Sequence, residues 1–160
     1  MPTITISGTV IDFPDTSESA DWSGAVIEFA LAVESALSGL AGPFDVSPQI
    51  MNIDSYNPGT TVDIPNLAFP TTDVRGAFIR YSVYRNTTTT TLTESGQIII
   101  TYNPANSVGS KWEIIRSFTG DASIIFNITD TGQIQFSTTA LGGLNHTGRI
   151  SYAANALLQS

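Results

Sequence analysis

Residues 111–158 read KWEIIRSFTGDASIIFNITDTGQIQFSTTALGGLNHTGRISYAANALL, and this stretch decides the fold. An apolar run from Trp112 to Phe118 ends at Thr119-Gly120-Asp121. Ile124, Phe126 and Ile128 then alternate with Ile125, Asn127 and Thr129. Asp130-Thr131-Gly132 interrupts the pattern, and Ile134, Phe136 and Thr138 alternate with Gln133, Gln135 and Ser137. After a Gly-rich loop at 141–148, Ile150 and Tyr152 alternate with Ser151 and Ala153. Apolar spacing of two, β-branched residues and Gly/Asp turns at short intervals predict four antiparallel strands.

Upstream, Val74 to Arg85 predicts a long strand, with Ala77, Ile79, Tyr81 and Val83 on one face and Phe78, Arg80, Ser82 and Tyr84 on the other. A Thr run at 87–91 reads as a turn and the start of the return. Ser95-Gly96 reads as a bulge or second turn before Gln97–Tyr102. Thr3–Ser7 and Thr9–Phe13 are candidate short strands. Residues 43–73 hold Pro43, Pro48, Pro58, Pro65 and Pro70, so Gln49–Ile53 and Thr61–Ile64 are expected at sheet edges. The count of about eight strands with short loops predicts a mainly β chain: a jelly-roll-like antiparallel sandwich with one N-terminal α-helix.

That helix rests on Trp22, Val26, Phe29, Val33, Leu37 and Leu40, which recur in steps of three and four. Asp21 is placed to cap it, and Gly39, Gly42 and Pro43 to stop it. Its apolar face is wider than a surface helix requires. Either it packs on its own sheet, or Trp22, Val26, Phe29, Val33 and Leu37 form an interface shared between subunits. The expected organisation is an N-terminal segment at 1–42, a proline-rich extended arm at 43–73 and an antiparallel β domain at 74–160.

With 160 residues the chain is long enough for one substantial core. Charged residues make up only 12%, and the net charge of −8 argues against nucleic acid, which needs a basic face. Charge is also polarised along the chain. Residues 1–74 carry Asp12, Asp15, Glu18, Asp21, Glu28, Glu34, Asp45, Asp54, Asp63 and Asp73 and no Lys or Arg. Arg75, Arg80, Arg85, Lys111, Arg116 and Arg149 all follow. Such a split suggests that the acidic part meets the basic part, within a chain or between copies. There is no cysteine, hence neither disulfide nor thiolate metal site. No signal peptide or membrane insertion is expected, because Glu28 and Glu34 interrupt the one apolar segment of any length.

Candidate chemistry is sparse. Asp130-Thr131-Gly132 matches the aspartic-protease triplet, but such enzymes need paired carboxylates, and a turn between two alternating strands accounts for it. His146 is the lone histidine, so one chain cannot assemble a zinc site; three copies on an axis remain an arithmetic alternative to a loop histidine. The sequons at Asn86, Asn127 and Asn145 are read as coincidence in an Asn- and Thr-rich chain. No catalytic residue, cofactor or metal site is assigned, and no enzyme is expected.

Two stretches carry a resemblance. Arg116-Ser-Phe-Thr-Gly-Asp-Ala122, continuing through Phe126-Asn-Ile-Thr-Asp-Thr-Gly-Gln-Ile-Gln-Phe-Ser137 to Gly148-Arg-Ile-Ser-Tyr152, resembles the C-terminal β domain of small virion proteins and fibres of tailed bacteriophages. Ile11-Asp-Phe-Pro-Asp15, followed by Trp22 and the helix, is similar to their N-terminal part. The resemblance implies a homo-oligomer, a trimer by preference, made in the bacterial host cytoplasm. It implies a location on the virion exterior as a fibre or capsid-decoration component, with other phage virion proteins as partners. The alternative is a tail fibre tip that binds a receptor or host surface glycan through the loops at 103–110 and 141–148.

Overall fold

The computed structural model describes residues 3–6, 9–12, 26–33, 42–53 and 59–159. The chain divides into two units, Met1–Pro43 and Phe44–Ser160.

In the first unit, β1 (Thr3–Ile6) and β2 (Thr9–Asp12) form an antiparallel pair with Ile4 opposite Ile11 and Thr5 opposite Val10. A helix, α1, covers residues 26–33. Asp21, Trp22, Leu37 and the expected Gly39 stop lie outside the described residues.

The second unit holds β3 (Val46–Asn52), β4 (Val62–Ala68), β5 (Val74–Asn86), β6 (Thr91–Tyr102), β7 (Trp112–Gly120), β8 (Ile124–Ile128), β9 (Gln133–Thr138) and β10 (Thr147–Leu158). They form two antiparallel sheets, a five-stranded one in the order β3-β10-β5-β6-β7 and a three-stranded one in the order β4-β9-β8. The chain is thus mainly β and sandwich-like, with one short helix near the N-terminus. Its last strand lies in the middle of the larger sheet, between β3 and β5.

Alternation fills the interior. From the larger sheet come Ala77, Ile79, Tyr81 and Val83, Ile98 and Ile100, Trp112, and Ile150, Tyr152 and Ala154. From the smaller sheet come Ile64 and Leu67, Ile124 and Phe126, and Ile134 and Phe136, with Phe69 fully enclosed just past β4. The rings of Tyr81 and Phe126 meet at 4.8 Å in a tilted arrangement. A core of this kind forms because each strand buries one side chain in two. Both strands drawn from the proline-rich region take edge positions, with Pro48 in β3 and Pro65 in β4. An edge strand keeps one row of amides out of the ladder, so a missing N–H is tolerated there.

The expected break at Ser95-Gly96 is not found. β6 continues through it, with Gly96 opposite Tyr81 on one side and Phe118 on the other. A Cβ at Gly96 would overlap the Ser117 carbonyl and crowd Phe118. Glycine serves close approach of neighbouring strands here, which reads in a sequence just as a turn does. The Asp130-Thr131-Gly132 turn is present: Gly132 has φ of 86°, its amide donates to the Thr129 carbonyl at 2.9 Å, and its own carbonyl accepts from the Phe69 amide at 3.0 Å.

Candidate functional site

Strand parity that turns Ile79 and Tyr81 inward turns Phe78 outward, and the register carries that choice across three strands. Phe78 lies opposite Ile99, and Ile99 opposite Ile115. The three side chains form a row on the outer face of the five-stranded sheet, exposed by 38%, 37% and 65%. Two neighbouring rows are polar: Arg80–Gln97–Ser117, then Ser82–Ser95–Thr119, where the Ser95 hydroxyl donates to the Ser82 hydroxyl at 3.0 Å. Farther along, Arg149 lies over the Tyr84 ring at 5.9 Å. The outer face of the three-stranded sheet differs in kind. Asn127 lies opposite Gln135 and Gln135 opposite Asp63, whose carboxylate accepts from the Gln135 amide at 2.7 Å. On the smaller sheet the exposed Ile125, opposite Ser137, interrupts the polar surface; on the larger sheet the apolar row lies between Arg80–Gln97–Ser117 on one side and Gly76–Thr101–Glu113 on the other.

Between the sheets lies a charged hub. Glu94 is only 2% exposed. Its Oε1 accepts from the Tyr81 hydroxyl at 2.7 Å and from Arg116 Nη2 at 2.5 Å, and its Oε2 accepts from the Ala122 amide at 3.1 Å. Arg116 also donates to the Ile124 carbonyl at 2.9 Å, and its guanidinium lies 4.4 Å from the Phe118 ring centre and 5.3 Å from that of Phe126. Burial, and then the bond to Glu94, pushes the Tyr81 hydroxyl up to about 12. Every acceptor oxygen of the carboxylate is used, as a buried charge demands. The hub fastens β5, β6 and β7 to the segment that leads into β8. Its geometry is that of a clasp between sheets.

A second buried cation, Arg85, stands at one end of the sandwich. Its Nη1 donates to the carbonyls of Ala122 and Ser123 at 2.8 and 3.0 Å, and its Nη2 to that of Thr139 at 2.9 Å. It lines a cavity of about 100 Å³ together with Asn52, Asn86, Phe136, Thr138 and His146. The sole histidine therefore sits half-buried in the wall of a small cavity. Among the described residues there is no group of three His, Asp or Glu side chains positioned to hold a metal ion. Asp130 accepts from the Gly109 amide at 2.6 Å through Oδ2, while its Oδ1 lies 3.5 Å from the Lys111 amide. It therefore pins the β6–β7 loop.

The two loops expected to contact a receptor or glycan lie at opposite ends of β6. The loop at 141–146 is tied to the β5–β6 turn, with the Thr88 amide donating to the Leu144 carbonyl at 2.9 Å and the Thr87 hydroxyl to that of Gly142 at 2.8 Å. The loop at 103–111 follows the other end of β6. Twelve residues of strand, about 40 Å at 3.3 Å each, separate them.

Of the residues expected at an oligomer interface, Val26 and Phe29 lie on α1 and are exposed by 55% and 38%, and Val33 is half-buried. Trp22 and Leu37 lie outside the described residues. Ile27 and Leu31 are each 58% exposed, and among the described helix residues Ala32 is buried. Among the described residues no helix is long and apolar enough to cross a membrane. The hub residue Glu94 carried no signal in the sequence, because Thr-Glu-Ser-Gly reads as a polar turn. Ile99 was hidden in a run of three isoleucines, where alternation is invisible.

No protein-family model matches the chain, and no curated protein matches it. Two solved structures are similar. The tailspike protein of Acinetobacter phage vB_ApiP_P1 is 12% identical with a TM-score of 0.42, the likeness covering 69% of this chain and 22% of that one. The tailspike protein of Acinetobacter baumannii phage AM24 is 11% identical with a TM-score of 0.32, over 72% of this chain and 26% of that one. The chain matches about a quarter of the length of either tailspike.

Proposed function

We propose that the chain is a non-enzymatic structural component of a bacteriophage particle, placed on the exterior as a fibre or capsid-decoration protein and assembling with copies of itself as a trimer. The observation that carries the assembly reading is the Phe78–Ile99–Ile115 row, three exposed apolar side chains aligned across adjacent strands of the larger sheet. Contiguous apolar surface of this kind marks an interaction site in a water-exposed protein. The exposed Val26, Ile27, Phe29 and Leu31 of α1 support it. The virion reading is supported by the resemblance carried by residues 116–152. The non-enzymatic reading is supported by the engagement of the acidic candidate Asp130, which holds a loop.

The test is the solution mass by light scattering on a sizing column. A mass three times the 17.0 kDa of the chain is expected, persisting in high salt, with Phe29→Asp giving monomer. A wild-type monomer at tens of micromolar overturns the assembly reading. Cleavage of a peptide library at acidic pH that is lost in Asp130→Asn overturns the non-enzymatic one.

A further inference from the structure

We infer that the open edge of β7 docks β7 of a second copy of this chain, the two strands running antiparallel about a two-fold axis at Ile115. This contact is separate from the one that closes a trimer.

The edge strands of the two sheets are β3, β7, β4 and β8. An edge presents a row of unpaired amides and carbonyls, which proteins blunt with proline, lysine or a break in register. β3 carries Pro48 and β4 carries Pro65. The ladder beside each is also interrupted, between Tyr152 and Ala154 on β10 and between Asp63 and Ala68 on β4. β7 has none of these devices. Its nine residues, WEIIRSFTG, pair with β6 without a shift in register. Ser117 to Gly120 are all exposed. β8 also lacks proline but is only five residues long. Among the described residues, β7 is therefore the longest bare template for strand addition.

Such an edge selects another strand through main-chain bonds. The side chains of β7 then favour its own copy in one register. Residues directly opposite across an antiparallel pair share a face, and like charges placed opposite are destabilising. An axis at Glu113 would set that carboxylate against itself, and an axis at Arg116 would do the same to the guanidinium. An axis at Ser117 would oppose Glu113 and Asp121, and one at Ile114 would oppose Glu113 and Ile115. An axis at Ile115 avoids all four. It places Ile115 against the partner's Ile115, Glu113 against the partner's Ser117 and Trp112 against the partner's Phe118. The Phe78–Ile99–Ile115 row then continues unbroken into the second copy.

One pair of short edges is smaller than a standard interface, so the contact is weak and fills where copies are concentrated. It leaves the mass of a trimer in dilute solution unchanged.

The chain has no cysteine, so single introduced thiols report the contact. At about 1 mM under mild oxidation, Ile115→Cys is expected to form a homotypic disulfide at least tenfold faster than Ile50→Cys. Ile50 is the matched control, 68% exposed against 65% for Ile115, on the proline-bearing strand β3. Glu113→Cys and Ser117→Cys on differently tagged chains are expected to join each other at least tenfold more than either joins itself. Alternate amides of an edge strand face away from its sheet. In the Ile115→Cys disulfide dimer that set is expected to exchange hydrogen at least tenfold more slowly than in the reduced protein. An Ile115→Cys product no faster than that of Ile50→Cys overturns the inference. A disulfide dimer whose alternate β7 amides stay unprotected overturns it in favour of stacked sheet faces. An excess of homotypic Glu113→Cys product overturns the axis at Ile115. Any of these failures in a protein that weighs as a trimer leaves the trimer standing. A mixed disulfide and protected amides in a protein that weighs as a monomer when dilute remove the trimer and leave the edge contact.

Discussion

Arg116 on β7 places Nη2 2.5 Å from Oε1 of Glu94 on the neighbouring strand β6, a residue 22 positions earlier and 2% exposed. Two charges in such a place are costly to desolvate; Tyr81 and Ala122 complete the bonding of the carboxylate and the Ile124 carbonyl accepts from Arg116, whose Nε is buried without a partner. The pair therefore specifies how the sheets are joined more than it adds to net stability. Removing one member strands the other. Glu94→Ala is expected to lower unfolding stability by about 3–5 kcal/mol. Urea titration followed by Trp fluorescence measures this, and a loss below about 1 kcal/mol refutes the clasp.

Tyr81 gives the fold an alkaline limit. Its hydroxyl is held up to about 12 by burial and by the Glu94 bond, against an unfolded value of 10.0. The unfolded chain then releases a proton that the folded chain retains, between those two values. The contribution is fully present below pH 10 and is lost as pH rises through about 12. Tyr152, buried and donating to the Pro65 carbonyl, shifts in the same direction. Tyr81→Phe is expected to flatten the fall in melting temperature between pH 10 and 12. An unchanged slope excludes Tyr81 as its source.

Two glycines share a φ of 86° and differ in surroundings. Beside Gly109 there is nothing within 4 Å of an added Cβ, whereas at Gly132 that atom would overlap the Phe69 carbonyl. Gly109→Ala is expected to cost about 1 kcal/mol, the conformational component alone. Gly132→Ala adds displacement of the β4 end and is expected to cost about 3 kcal/mol. Equal losses in thermal unfolding contradict the packing argument.

Asp130 is expected to act as a loop anchor. Asp130→Asn keeps the size of the side chain and weakens its acceptance from the Gly109 amide, a charge-assisted bond of 2.6 Å. Hydrogen exchange at Gly109 is expected to accelerate about tenfold while amides of β5 and β10 keep their protection. Faster exchange throughout would assign Asp130 to the core instead.

Much of the sandwich was legible because most strands bury alternate side chains. The four strands after Lys111 and the long strand from Val74 follow from period two alone, and the Asp-x-Gly turn from its residue types. What stayed hidden depends on partners distant in sequence. Gly96 reads as a turn because the crowding that requires it comes from Ser117 and Phe118. Glu94 reads as surface because Arg116, Tyr81 and Ala122 meet only in the fold. The outer row could not be read either. Phe78 was assigned to the face opposite Ile79, but Ile99 and Ile115 join it only once the register is known.

The position of β10 bears on how the protein is made. β5 is completed on one flank by β6, its hairpin neighbour, but on the other only by Thr147–Leu158, some 70 residues downstream. During synthesis the long edge of β5 must wait, bare, for that strand to leave the ribosome, and pairing over such separations is slow. Nascent chains from which β5 and β6 have emerged and β10 has not therefore expose a ready-made template for strand addition. Chaperone demand in the producing cell should peak over that interval and vanish once β10 has inserted.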